Sequence, residues 1–311
     1  MIPAMKVTAI APWFGGKRTM APAIVRELGN HTQYFEPFCG SMAVLFAKQP
    51  SRQETVNDLH GDLINLARVL QHPQAAPELY ERLQTVLFSE HFLHEADEHL
   101  DDESSLSLIL AHKPPEDPVS IERAYWYFLA SWMARNGVAG TALREYQAAV
   151  RWTRGGGSPT IRFRNAVESI PAWHQRLRNV VILRRDGLEI CDRFEDCEET
   201  AIYVDPPYIA SSRSGYGIHD RGSKYKHEFH HDDPLCGDDH QRLRDILAGY
   251  KRARIVVSYY DCPRIRQLYE GWTFVAHTRQ KHLHAQNGRG ARPKQAPEVL
   301  IINGPSYAPA G

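Results

Sequence analysis

Thr200-Ala-Ile-Tyr-Val-Asp-Pro-Pro-Tyr208 is the stretch whose reading decides the fold. Thr200 to Val204 is an unbroken run of β-prone and apolar residues, the pattern of a strand covered on both faces. Two prolines cannot donate to a sheet ladder, so the strand ends at Asp205 and a stiff loop follows. In an open α/β sheet, ligands bind beyond the carboxyl ends of the strands, which is where this tetrapeptide falls. The Asp205 carboxylate and the Pro206 carbonyl both accept hydrogen bonds from an amine, steering its lone pair towards an electrophile.

Upstream, Gln33-Tyr-Phe-Glu-Pro-Phe38 reads as a strand, with a turn at Gly40 and a helical pattern from Ser41 to Lys48. Glu54-Thr-Val-Asn-Asp58 reads as a second strand, with a helix running from Asp62 through Leu70. Two strand-to-helix units in succession open a parallel α/β sheet. Before them stand a glycine-containing loop, Ala11-Pro-Trp-Phe-Gly-Gly-Lys17, and a short helix from Met20 to Leu28 that Gly29 terminates. Strand signals resume at residues 180–183, 254–258, 273–276 and 298–302, with a crossover helix at 238–247.

Residues 71–174 differ, being mainly helical with an amphipathic aromatic segment at 122–135. They end in a basic Gly-rich stretch, residues 151–164, that reads as a β-hairpin. The expected architecture is a Rossmann-like α/β sheet with an inserted, mainly helical lobe: core at 1–70, insert at 71–174, core again at 175–311. The polar stretch at 100–118 is expected to be the mobile part of the insert, and residues 211–229 a flap that orders on substrate.

The 311 residues carry 37 basic and 37 acidic side chains, which argues against a protein that coats nucleic acid non-specifically. The charge is segregated, however. Between Arg144 and Arg185 stand nine arginines and no lysine against Glu145 and Glu168, so one patch is suited to tracking phosphates. The five cysteines are dispersed and form no C-x-x-C pair, which fits neither a disulfide framework nor a zinc ribbon. No apolar run is long enough to span a bilayer, and a reduced, cytoplasmic setting is expected.

Glu36-Pro-Phe-Cys-Gly40-Ser41 ends the first strand in a turn whose glycine lets backbone approach a ligand closely, making Glu36, Phe38 and Gly40 binding candidates. Asp58 closes the second strand near the distance at which an acid meets ribose hydroxyls in nucleotide-binding α/β units. With no G-x-G-x-x-G and no G-x-x-x-x-G-K-[ST], an adenosine-containing cofactor fits better than a dinucleotide or triphosphate. The histidines and acids between His219 and His240 match no zinc spacing, so no metal is expected. Tyr208 offers a flat ring on which a base turned out of a duplex can stack.

Pro12-Trp-Phe-Gly-Gly-Lys17, Phe35-Glu-Pro-Phe-Cys-Gly40, Val56-Asn-Asp58 with Asp62-Leu-Ile64, and Tyr203-Val-Asp-Pro-Pro-Tyr208 resemble, in order, the motifs of Dam-like DNA adenine-N6 methyltransferases of the phage and prophage kind. Val256-Val-Ser258, Gln286-Asn-Gly-Arg289 and Glu298-Val-Leu-Ile301 resemble the tail of that family. The resemblance implies an S-adenosylmethionine-dependent enzyme acting on double-stranded DNA, with no obligatory protein partner. It implies that Trp13, Lys17, Asp58 and Asp205 contact the cofactor or shape its pocket, and that Asp205, Pro206, Pro207 and Tyr208 hold the target amine. The unmatched middle is then the target-recognition lobe, with Arg151, Arg154, Arg162 and Arg164 on phosphates and base edges and Arg289 at a second contact.

One departure is Met42, which stands where the family commonly has a second small residue and bears on the fit of the cofactor's methionine end. The chemistry implied is direct displacement at a sulfonium methyl, which needs positioning rather than a protein nucleophile. Cys39 is accordingly read as a small wall residue. Cytosine N4 in DNA and adenine in RNA present comparable amines, and a DNA-binding module without turnover is the non-enzymatic alternative.

Overall fold

The computed structural model describes residues 5–13, 15–101, 119–134, 148–149, 157–209, 229–230, 237–280 and 295–308. Among them, seven strands form one sheet: β1 (Gln33–Glu36), β2 (Gln53–Asn57), β3 (Val180–Leu183), β4 (Thr200–Val204), β5 (Arg254–Tyr260), β6 (Thr273–Gln280) and β7 (Gln295–Ile302). Their order is β3-β2-β1-β4-β5-β7-β6, parallel as far as β5, with β7 antiparallel between β5 and β6. Every strand expected for the sheet is present.

Alternation along the strands sorts side chains into two apolar layers. Tyr34, Val56, Ala201, Tyr203 and Val256 face one core, whereas Phe35, Ile202, Val204, Ile255 and Val257 face the other. The first core is closed by α1 (Ala21–Leu28), α2 (Ala43–Ala47), α3 (Gly61–Gln71), α4 (Ala75–Gln84), α5 (Glu90–Asp101), α6 (Ile121–Met133) and α7 (Pro159–Leu177). The second is closed by α8 (Gly187–Cys191), α9 (Asp239–Gly249) and α10 (Pro263–Leu268). This is a doubly wound α/β sheet.

Three helix ends are fixed by local chemistry. Gly29 ends α1 with φ 64°, and its N–H bonds Arg26 O. Asp238 caps α9, accepting from the His240 and Gln241 N–H groups. Ser120 caps α6 by accepting from Arg123 N. Helices α4 to α6 bury Leu79, Leu83, Leu93 and Phe128 in the same cluster as the sheet, and Asp62 of α3 holds the buried Arg123 of α6 at 2.5 Å.

The hairpin expected at residues 151–164 is not what the described part of that stretch forms. Arg162 and Arg164 stand in the first turns of α7, a 19-residue helix. Pro159 at its first position is pre-set for a helix, and Phe163, Ala166, Val167 and Ile170 recur at helical spacing on its buried face. Arg151, Arg154 and Arg289 lie outside the described residues, as do residues 102–118 and 210–228, which include most of the two expected mobile stretches. No helix among the described residues is long and apolar enough to cross a membrane.

Candidate active site

Strand connections change direction between β1 and β4: β2 and β3 lie on one side of β1, and β5 beyond β4. A crevice therefore opens past the carboxyl ends of these two strands, where doubly wound sheets bind ligands. Glu36 ends β1 and Asp205 follows β4, on paired strands. A cavity of about 620 Å³ occupies this position, lined by Trp13, Lys17, Glu36, Phe38, Gly40, Asp58, Asp205 and Pro207 among others. Pro206 and Tyr208 do not line it.

Its floor is built from backbone. Asp58 Oδ2 accepts from Gly40 N at 2.8 Å and Oδ1 from His60 N at 2.9 Å, so the acid after β2 clamps the turn after β1. Burial pushes the Asp58 carboxyl above its ordinary range, opposed by those backbone N–H groups. Asn57 ties three loops, donating to Pro37 O and Arg185 O and accepting from Arg185 N. Gly40 has φ 44°, and a Cβ there would come within 2.7 Å of Trp13 Nε1. Only glycine permits both the turn and the contact with Trp13.

Met42 has φ 61° and ψ 30°, the left-handed region that glycine favours. Its side chain is fully buried in the core and does not line the cavity, so replacing a small residue here leaves the ligand space unfilled.

At the opposite wall, Ser258 Oγ donates to Asp205 Oδ1 at 2.7 Å, and Tyr203 OH lies 3.0 Å from the same Oγ. The serine's one proton is committed to Asp205, so Tyr203 is the donor in the second bond. Burial raises the Tyr203 phenol well above its usual range and keeps that proton in place. Lys17 Nζ lies 3.0 Å from Asp205 Oδ2, donates to Gly15 O at 2.6 Å, and stands 3.8 Å from Glu298 Oε1. It also rests 4.9 Å from the centroid of the Tyr208 ring, which packs edge-on against Tyr260 and is buried. The Tyr208 face is thus under Lys17 rather than open to the cavity. Glu36 is buried, accepts from Tyr34 OH at 2.9 Å, and burial pushes its carboxyl up to about 8.

Sequence reasoning missed Asp186, Gly187 and Leu188, which line the cavity from the loop after β3. Asp186 Oδ1 accepts from Leu188 N and starts α8, and a Cβ on Gly187 would collide with the Phe38 ring. The one signal for them in the sequence is an Asp-Gly pair just past a strand. Ser258 and Glu298 belong to the tail motifs, and their residue types alone assign them no role. Arg162 is half-buried; burial, and then the neighbouring Arg18 charge, lower its pKa. Arg164 is exposed. Among the described residues no cluster of three or more metal-ligating side chains occurs, and most of residues 219–240 lie outside them.

Comparison with known proteins identifies the family. The model of the D12 class N6 adenine-specific DNA methyltransferase family matches residues 13–284, from the Trp13 wall across both strand-end motifs. The type II methyltransferase M.MjaIII of Methanocaldococcus jannaschii is 24% identical over 319 residues, covering 96% of this chain and 100% of that relative. The chain belongs to the D12 class N6 adenine-specific DNA methyltransferases, enzymes that methylate the exocyclic amine of adenine in DNA.

Proposed function

We propose that the cavity between β1 and β4 binds S-adenosylmethionine, and that Asp205 and the Pro206 carbonyl hold the N6 amine of an adenine turned out of duplex DNA. The observation that carries this is the convergence of Glu36, Gly40, Asp58 and Asp205, from three strand ends, on one cavity. Its volume suits a nucleoside-sized ligand, and carboxylates outnumber cations along its walls, which suits a ligand bearing an ammonium, a sulfonium and ribose hydroxyls. The cofactor, when bound, supplies a methyl group made electrophilic by a positively charged sulfur.

The chain's own residues do the rest. Asp58, held by the Gly40 and His60 N–H groups, has a remaining lone pair to accept from a ribose hydroxyl. Trp13 and Phe38, packed against Gly40 and Gly187, form apolar walls that limit water. Asp205, oriented by Ser258, accepts from the amine and turns its lone pair towards the cavity. Burial raises the Cys39 thiol well above its usual range, so it is no nucleophile, in keeping with direct displacement.

Residues 71–174 serve as the target-recognition lobe between the two core segments. Arg162 and Arg164, with Arg18 beside Arg162, form part of the DNA face, which Arg151, Arg154 and Arg289 extend. Calorimetric titration with S-adenosylmethionine tests the cofactor assignment. Asp58→Ala should weaken binding by at least about tenfold, the loss of a hydrogen bond to a charged group; wild-type affinity in that variant would remove Asp58 from the ribose.

A further inference from the structure

The Lys17 ammonium already holds the Asp205 carboxylate that the target amine needs. It has a carboxylate oxygen of Asp205 at 3.0 Å, the Gly15 carbonyl at 2.6 Å and the Tyr208 ring at 4.9 Å. The carboxylate and the aromatic face are partners that an adenine amine and its ring also use in such a site. Lys17 therefore competes with the amine for Asp205, and it is 4% exposed, so it is enclosed there rather than reaching in from solvent. Target entry needs Lys17 to yield Asp205 and the ring face.

Glu298 of β7 offers the alternative position. Its side chain is 3% exposed, Oε1 stands 3.8 Å from Lys17 Nζ, and Oε2 is buried and accepts no hydrogen bond among the described residues. A buried carboxylate oxygen left without a donor is costly. Moving Nζ by about 1 Å towards Glu298 converts the existing contact into a charge-assisted hydrogen bond. The lysine can thus exchange carboxylates inside the protein without returning to water.

We infer that Lys17 is a displaceable competitor of the target amine for Asp205, and that Glu298 is the positioning residue that receives it when adenine enters. In the absence of DNA the lysine keeps the Asp205 carboxylate paired; on entry, N6 takes its place and Lys17 moves to Glu298. A base edge bearing a carbonyl offers Asp205 no donor and leaves Lys17 where it is. The inference rests on the assignment of Asp205 as the acceptor of the amine.

The test is single-turnover methyl transfer to a duplex substrate by wild type, Glu298→Gln and Glu298→Asp. Glu298→Gln should slow transfer by at least about tenfold, the loss of one charge-assisted hydrogen bond, with S-adenosylmethionine affinity and DNA KM within about twofold. Glu298→Asp, which keeps the charge, should recover much of the rate. A wild-type rate in Glu298→Gln, or equal defects in both variants accompanied by weakened cofactor binding, overturns the exchange. Should neither variant fold, a crystal structure of wild type with duplex DNA and S-adenosylhomocysteine decides. Lys17 Nζ hydrogen-bonded to Glu298 supports the exchange, and Lys17 still on Asp205 contradicts it. Turnover persisting in Asp205→Ala would instead remove the assignment on which the inference rests.

Discussion

Asp205 Oδ1 accepts a 2.7 Å hydrogen bond from Ser258 Oγ, so a residue of β5 orients the carboxylate that leaves β4. The parallel pairing of the two strands sets this up, because Val204 stands opposite Val257 and the next residue on each strand comes into reach. Tyr203 completes a directed chain of donors, phenol to hydroxyl to carboxylate.

Ser258→Ala removes a hydrogen bond to a charged acceptor, worth about 1.5–3 kcal/mol. If that bond orients Asp205 for the amine, kcat should fall about tenfold to a hundredfold while S-adenosylmethionine affinity is kept. Steady-state transfer and calorimetry on the same preparation check this. Weakened cofactor binding at unchanged kcat would mean that Ser258 supports the pocket instead.

Gly187→Ala places a Cβ well inside van der Waals distance of the Phe38 ring, so Phe38 must shift. Because Phe38 lines the cavity, cofactor affinity should drop at least about tenfold, as 1 Å displacements at pre-formed sites commonly cost. Titration with S-adenosylmethionine measures it, and an unchanged Kd would show that the ring has room to move away from the ligand.

Glu36 makes stability depend on pH. Its carboxyl is pushed by burial from an ordinary value of 4.5 up to about 8, so the folded protein holds a proton that the unfolded chain has released. The resulting stabilisation is complete below about 4.5 and is lost as pH rises towards about 8. Raised by burial, Asp58 contributes in the same direction. Tm should therefore decline between about pH 6 and pH 8, and Glu36→Gln, neutral at every pH, should flatten the decline. Parallel Tm curves for the two proteins would refute the buried proton.

Neutralising Arg162 and Arg164 together tests the DNA face. For every phosphate that no longer meets a guanidinium, the slope of log affinity against log salt should fall by about one unit. Binding measured across a salt series separates the outcomes, since an unchanged slope would make both arginines part of the α7 surface alone.

The sheet was legible because its strands are short apolar runs stopped by Gly, Pro and Asp, and the strand-end acids Glu36, Asp58 and Asp205 could be placed from that pattern. Residues 151–164 mislead because three consecutive glycines beside spaced arginines suggest a hairpin. The helix start at Ser158-Pro159 is the better signal. Asp186 and Gly187 escape notice because an Asp-Gly pair reads as an ordinary turn until β3 is seen beside β2. Lys17 and Glu298 lie at opposite ends of the chain, and only the insertion of β7 between β5 and β6 brings them together. Local patterns carry no information about such a pairing. Tyr208 shows the same limit: its type was informative, yet its burial under Lys17 depends on that long-range contact.

Nucleoside mass spectrometry of duplex DNA incubated with S-adenosylmethionine and either wild-type protein or Asp205→Ala measures product and site together. N6-methyladenine formed by wild type, and reduced by at least about a thousandfold in Asp205→Ala without loss of DNA binding, is the expected result. N6-methyladenine formed at comparable rates by both proteins would contradict the placement of the amine at Asp205.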